Sequence, residues 1–518
     1  VGLVFDAAIG LTPTAADAGT TILVNGTPVP SGTSHVESLS PGTNMITLTL
    51  FASNGAQRSY FLLVRRVVQE AYVKASNTQT DDGFGGTTKN FGMILANTAA
   101  VAVSGEWMAV GAPAEDSSNG VQNDNDAEDS GAVYLFRRVG SVWSQEKYLK
   151  APNIDVGDGF GSAVAMDGDT LAVGAFDEDS SSTATPDNGA PGSGAVYVYR
   201  RDGVAWNLEA YLKASPIVTG DGFGVAVALQ GDVLVVGAIS HDGAVANSGA
   251  AFVFRRSGTT WIQEAVLKAS TEMENSFFGT SVAVDGDAVV VGAWREMYGT
   301  VTNPPSTLLS GAAHVFRRVG TSWTHEARLQ PPALDSNDQF GWAVAISGDR
   351  VAVGTPLEDS GATGIDGDAN DNNLSGAGAV YVFRRSSGVW SEDAYVKPGH
   401  WMSPGMNFGR ALALRGTTLI VGAPLERGSN PGINPPPTSG SSSSGAAFVF
   451  RSNGASWWQE AYLKAAVVDQ EDYFGLSLAF DGRTLVVGAP REDSNATGVN
   501  GNATDNSARD SGAVYVFR

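Results

Sequence analysis

Seven times between residues 67 and 518 the chain runs through the same ordered parts, and this repetition restricts the possible folds more than any other property of the sequence. Each block opens on Phe-Gly, from Phe84-Gly85 to Phe474-Gly475. A short alternating strand, a Gly-centred turn such as Asp167-Gly168-Asp169 and a second strand ending in Val-Gly-Ala or a near variant follow. The glycine of that ending is Gly111, Gly174, Gly237, Gly292, Gly354, Gly422 and Gly488, at spacings of 63, 63, 55, 62, 68 and 66. A polar loop of variable length then leads to Ser-Gly-Ala and a third strand typified by Val514-Tyr515-Val516-Phe517. After a basic turn comes a fourth strand of the Glu-Ala-Tyr-Leu-Lys type. Period-two alternation, tight glycine turns and no helical period predict four antiparallel strands per block, which describes a propeller blade better than a solenoid coil.

The two ends of the chain carry the argument further. The seventh block stops at Arg518, directly after its third strand, while Glu70-Ala71-Tyr72-Val73-Lys74 matches Glu460-Ala461-Tyr462-Leu463-Lys464 almost residue for residue. Residues 67–75 are therefore expected to supply the fourth strand of blade seven, closing the ring and removing two open edges. The expected fold is all-β: a seven-bladed β-propeller over 67–518, preceded by a partial β-sandwich over 1–66. In that first segment Asn25-Gly26 and Asn54-Gly55 are hairpin signals beside Thr21–Val24, Met45–Ala52 and Ser59–Arg66, and an antiparallel sandwich is the expectation. Some 66 residues are few for one, since immunoglobulin-type sandwiches need about 100, so upstream strands or another chain would complete it. Block one has about thirteen extra residues before the strand near Val101, read as a rim loop carrying Phe91-Gly92 as an echo of the motif.

Composition narrows the function. With 32 Lys+Arg against 54 Asp+Glu the net charge is −22, which repels nucleic acid and anionic membrane surfaces. The absence of cysteine excludes disulfides, thiolate metal sites and cysteine nucleophiles. No apolar run reaches the roughly 18–20 residues of a spanning helix, and the chain opens at Val1 without a signal-like leader, as a processed or trimmed piece would.

The Phe-Gly, Val-Gly-Ala-Pro and Gly-Ala-Val-Tyr-Val-Phe parts resemble the FG-GAP repeat, the blade of integrin α-subunit propellers, in the form common in large bacterial extracellular proteins. Val24-Asn25-Gly26, Pro41-Gly42-Thr43-Asn44 and the strand from Tyr60 to Arg66 resemble the later part of a bacterial cadherin-like β-sandwich. The resemblance implies adhesion or ligand binding at a cell surface; fold alone does not establish it. Integrin propellers hold calcium in Asp-rich loops between strands one and two. Here those connections are short turns such as Ser347-Gly348-Asp349 and Asp481-Gly482-Arg483, so that site does not carry over.

Acidic residues concentrate in the loops between strands two and three, at Glu115 to Asp129, Asp177 to Asp187, Glu358 to Asp371 and Glu492 to Asp510, expected together on one face. Asp124, Asp126 and Glu128, and likewise Asp366, Asp368 and Asn370, place oxygen ligands at alternate positions, the spacing a Ca²⁺ loop uses, but without the glycine and distal Glu of an EF-hand. Ordinary turn formation by the same residues is the competing and preferred reading. In six blocks a Trp stands three residues before an acid (Trp143/Glu146, Trp206/Glu209, Trp261/Glu264, Trp323/Glu326, Trp390/Asp393, Trp457/Glu460), and the fixed place argues for packing over sugar stacking. Trp294, Tyr298 and His400-Trp401 fall outside that register and are better contact candidates. The five His occupy unrelated positions with no zinc spacing, and His314 replaces a third-strand Tyr or Phe. Arg-Arg pairs such as Arg137-Arg138, Arg200-Arg201 and Arg384-Arg385 read as solvated turn charges. No Gly-x-Ser-x-Gly elbow is present, and Ser441 to Ser444 read as flexible loop.

These observations favour a non-enzymatic extracellular or cell-surface module presenting loops to a protein or glycan partner, with no nucleic-acid partner, no membrane insertion and no required cofactor, Ca²⁺ being the one candidate. The alternatives are a structural subunit of a filament or surface layer built by propeller–sandwich contacts, including contacts with its own copies, and a glycan hydrolase using two facing carboxylates.

Overall fold

A computed structural model of the chain describes residues 2–518 apart from 87–89, 92–93, 96–99, 119, 123, 185–186, 298–308, 332, 334, 401, 439 and 441–442. All regular structure among the described residues is β. Seven four-stranded antiparallel sheets follow one another, the first made of Val101–Ser104, Trp107–Ala112, Ala132–Val139 and Val142–Leu149 in that spatial order. The last is made of Ser477–Phe480, Leu485–Ala489 and Ala513–Phe517, and its fourth strand is Gln69–Val73, with Tyr72 opposite Tyr515. First strands of successive sheets pack on one another, and that of the first sheet also packs on that of the last.

Close backbone approach explains the glycine motifs. The Phe of each Phe-Gly is fully buried and meets a third-strand aromatic ring edge-on, as Phe160 meets Tyr197 at 5.3 Å and 75°. Gly161, at φ +96°, lies so near the preceding sheet that a Cβ would stand 2.5 Å from the Ala132 carbonyl oxygen. Gly111 of the Val-Gly-Ala strand faces the Gly161 backbone in the same way, and Gly488 of the last sheet faces Gly85 of the first. Only glycine combines this φ with this contact.

The Trp and Arg-Arg signals form a clamp between sheets. Each fourth strand carries a bulge, so that Leu135 and Phe136 oppose Lys147 and Gln145, leaving Glu146 unpaired in the ladder; the same shift isolates Glu70, Glu209, Glu264, Glu326, Asp393 and Glu460. A bulge re-aims its side chain, here toward the next sheet. Glu326 accepts hydrogen bonds from Arg385 (2.9 and 2.6 Å) and from the indole N–H of Trp390 (3.1 Å). Arg318 with Trp323 on Glu264, Arg256 with Trp261 on Glu209, and Arg138 with Trp143 on Glu70 repeat the arrangement. The second Arg of these pairs is thus an inter-sheet ligand rather than a solvated turn charge, a role set by the bulge and invisible in the repeat itself. Arg201 departs: it binds Asp169, while Trp206 packs edge-on against Trp107 at 5.4 Å.

The N-terminal segment forms a five-stranded sheet in the order Gly2–Val4, Gln57–Arg66, Gly42–Phe51, Thr21–Val24, Thr27–Pro28, with Ala8–Leu11 and His35–Ser38 paired separately. Asn25 and Gly26, both at positive φ, make the expected tight turn. The expectation of a purely antiparallel arrangement fails at one place. Gly2–Val4 runs parallel to Val64–Arg66, because the chain crosses from this strand to the separate pair before returning. Phe5 is buried with Ile420, Leu463 and Tyr72, so this unit is anchored on the repeat sheets. In the rim loop of block one, Asn90–Phe91 pairs with Ile94–Leu95; Gly92 lies outside the described residues.

Candidate functional site

The loops between strands two and three begin at the same end of every repeat sheet, and six of them carry a buried Glu close to their start. Glu115, Glu178, Glu296, Glu358, Glu426 and Glu492 are buried. The reason lies at the end of the fourth strand, where its penultimate residue, a Tyr in most sheets, and the Lys just beyond it converge on that carboxylate. Lys74 Nζ donates to Glu492 (2.7 Å) and to the Ser511 hydroxyl (2.7 Å), while Tyr72 donates to the other carboxylate oxygen (2.7 Å). The same set recurs at Lys150, Tyr148 and Ser130 on Glu115. Lys213, Tyr211 and Ser193 meet on Glu178. Lys397 and Tyr395 reach Glu358, and Lys464 reaches Glu426. Burial pushes the Lys74, Lys213, Lys397 and Lys464 ammonium groups down, and the facing carboxylates oppose it. Burial also acts to raise Glu178, but the bonds from Lys213, Ser180 and Tyr211 outweigh it and hold this carboxyl low.

Two sheets replace this set. In the third, His241 stands in the Glu position and its Nδ1 lies 2.7 Å from Asp221, while Lys268 turns to Glu272. In the fourth, Glu296 holds His314 (2.7 Å) and Arg328 (2.5 Å), and the rings of His314 and His325 share a 3.0 Å hydrogen bond. Burial, then the neighbouring His314, push the His325 imidazole down. The five histidines are therefore not all unrelated: strand pairing with a bulge between Val315 and Phe316 brings two of them together, which linear spacing cannot reveal. His400 packs on Tyr462 and Phe448 at 4.7 and 5.5 Å.

A second buried acid precedes several Phe-Gly pairs. Asp158, Asp338 and Asp472 are buried and pushed up by burial to about 8, 7 and 8. Nearby carboxylates, among them Glu178 for Asp158 and Glu492 for Asp472, add to the rise.

The two alternating acid loops are held by turn bonds and, at Asp366, by a bond from the fourth strand. Asp124 accepts from the Ser118 hydroxyl (2.5 Å) and the Asp126 amide (3.1 Å); Glu128 is exposed in the same turn. Asp366, at φ +56°, accepts from the Tyr395 amide (3.0 Å), and Asp368 from the Asn370 amide (3.0 Å). Among the described residues, no three His, Asp or Glu side chains converge as metal ligands do.

Of the off-register aromatics, Trp294 stacks on Phe277 (5.7 Å, 14°) and leans on Trp342 (5.4 Å), with the Arg295 guanidinium over both Phe277 and Trp294. Phe277 adopts φ +54°, a left-handed conformation that the residue before Phe-Gly adopts in every block, as Gly83, Gly159 and Gly222 in three and as Gln339, Asn407 and Tyr473 in three others; it is uncommon for a bulky residue. Tyr298 and Trp401 lie outside the described residues, as do Ser441 and Ser442.

A family model described as FG-GAP repeat matches residues 143–199, 206–254, 261–316, 323–383 and 457–517. A model described as cadherin-like beta sandwich domain matches residues 5–67. No curated protein matches the chain. Among solved structures, the crystal structure of the tricorn protease is similar at 9% identity and a TM-score of 0.38, over 92% of this chain and 41% of that one.

Proposed function

Because the chain belongs to the FG-GAP repeat family, we propose that its seven repeat sheets close into one propeller that serves as a non-enzymatic binding or adhesion module outside the cell, presenting its strand two to three loops to a protein or glycan partner. Closure is supported by the Lys74–Glu492 pair, by Gly488 against Gly85, and by Arg518 with Glu106 at 3.2 Å, all of which join the last sheet to the start of the repeat region. The domain division at residues 66 and 67 follows the same logic, since the Gln57–Arg66 strand belongs to the N-terminal sheet and Gln69–Val73 to the last repeat sheet.

One observation carries the reading. In six loops a Glu close to the start is bound to a Lys or Arg from the end of the fourth strand, so the repeated carboxylates anchor the loops, and the outer residues, which differ in length and composition from block to block, are what the rigid face displays. A hydrolase needs two carboxylates free to act across a cleft. No helix of the described residues is long and apolar enough to cross a membrane. Surface plasmon resonance on immobilised glycans and matrix proteins tests the proposal. Saturable binding without turnover, weakened when residues 361–375 are replaced by a short Ser-Gly linker, is expected. Glycan cleavage that disappears on neutralising two facing carboxylates would establish the hydrolase instead.

A second reading, self-assembly into a filament or surface layer, is favoured by the Gly42–Phe51 and Gln57–Arg66 hairpin. Met45 and Phe61 are 59% and 64% exposed there and Tyr60 to Leu63 are all exposed, more apolar surface than a free monomer usually shows on one hairpin. Regular polymers of native material under the electron microscope would select this reading, and dispersed monomers the first.

A further inference from the structure

The residue after Phe-Gly is Trp342 in the fifth block and Arg410 in the sixth, the one charged residue at that place in any block. The first strands of the third to seventh sheets bound a cavity of about 130 Å³, and Arg410 lies on its wall. The remaining lining is Ala, Val, Leu, Trp-free and acid-free, with three hydroxyls. Each hydroxyl proton is already committed to a carbonyl: Thr280 to Phe277 (2.7 Å), Ser281 to Gly341 (3.0 Å), Ser477 to Gly85 (2.6 Å). Among the described lining residues, Arg410 alone carries a charged side-chain donor that is not already committed.

Arg410 is half-buried, and its guanidinium carbon sits 3.9 Å from the centroid of the buried Trp342 ring. Among the described residues no carboxylate or carbonyl binds its side chain, in a chain where 54 acids supply partners to most other partly buried arginines. Burial pushes this group down to about 10, so it remains a cation at neutral pH. A partly buried cation without an anion forgoes the charge-assisted bonds that usually offset its desolvation; stacking on an indole face recovers only a part.

We propose that Arg410 makes this cavity a binding site for a small oxyanion, a carboxylate or phosphate group, held by the guanidinium above Trp342. The volume admits a group of a few heavy atoms and not a sugar ring. A single guanidinium and the unfavourable net charge of the chain set the expected affinity near millimolar. The proposal is independent of the loop face and of its partner.

Calorimetric titration of the full chain with sodium phosphate, and separately with sodium acetate, at fixed ionic strength tests it, with tryptophan fluorescence as a second signal from Trp342. Saturable binding of at least one anion is expected. Response to phosphate alone identifies a phosphoryl ligand, and to acetate alone a carboxylate. R410Q should abolish the binding, R410K should retain a weaker form, and R295Q, outside the cavity, should leave it unchanged. No saturable response of the wild-type chain to either anion up to about 20 mM, some twentyfold above the expected dissociation constant, overturns the proposal. Undiminished binding by R410Q does so too. Should R410Q fail to fold, the wild-type titration and R410K decide the matter.

Discussion

Replacing Lys74 by Met isolates the contribution of a buried ion pair that joins the two ends of the repeat region. The side chains of Lys74 and Glu492 are 0% and 4% exposed, and the ammonium group makes two bonds of 2.7 Å. Removing one member leaves a buried carboxylate facing only Tyr72 and backbone, at a cost of about 3–5 kcal/mol. Unfolding entropy near 2.1 cal/mol/K per residue gives about 0.95 kcal/mol/K for a cooperative unit of about 450 residues, so the melting temperature should fall by about 3–5 °C in scanning calorimetry. Glu492→Gln should cost a similar amount, and the double variant K74M/E492Q less than the sum, since no charge is then stranded. Lys213→Met breaks the same kind of pair within one continuous stretch of chain. It should lower the melting temperature equally, but only K74M should speed proteolysis near residues 67–76. A K74M protein melting within about 1 °C of wild type, or a double variant showing simple additivity, would refute the reasoning.

Asp158, Asp338 and Asp472, pushed up to about 8, 7 and 8, bind more protons folded than unfolded. The stability they contribute is complete below the unfolded value near 4 and is lost as pH rises through 7 to 8. The melting temperature should therefore fall between pH 5 and pH 9, and D158N/D472N should flatten the profile. Gly224→Ala places a Cβ 2.5 Å from the Ala195 carbonyl at φ +100° and should abolish folding or lower the melting temperature by several degrees; Gly168→Ala, with nothing within 4 Å, should cost only about 1 kcal/mol by chemical denaturation. Glu326→Ala strips Arg385 and Trp390 of their shared acceptor and should destabilise by about 2–4 kcal/mol in the same assay, more than Glu146→Ala, whose clamp is unmade. Titrating Ca²⁺ into chelator-stripped protein should give no heat and no melting shift, because Asp124 already caps its own turn and Asp366 is held by the Tyr395 amide of the fourth strand; saturable heat would refute that assignment.

The repeat was legible at strand level because tight turns and alternation are local: Asp167-Gly168-Asp169 needs only its own positive φ, and Phe160 is buried wherever such a strand packs. The matching Glu70-to-Lys74 segment located the strand that joins the last sheet by the same local resemblance. Residue identity alone did not separate the acids, since Glu115 and Asp126 stand eleven residues apart in one polar loop and read alike.

Their separation depends on partners brought from afar. Glu115 is buried because Lys150 and Tyr148 arrive from the fourth strand, while Asp126 has only solvent and its own turn. The bulge that leaves Glu326 outside its ladder turns an ordinary strand acid into the acceptor for Arg385 and Trp390 of the next sheet. Pairing likewise set His314 against His325, and the meeting of five first strands left Arg410 facing a cavity without an acid. The sequence by itself determined the strands, their turns and the order of the sheets, all governed by φ/ψ preference and short-range periodicity. Only the tertiary structure decided which charges are buried and paired, because burial and counter-charge belong to the contacts between strands and sheets and not to any single segment of chain.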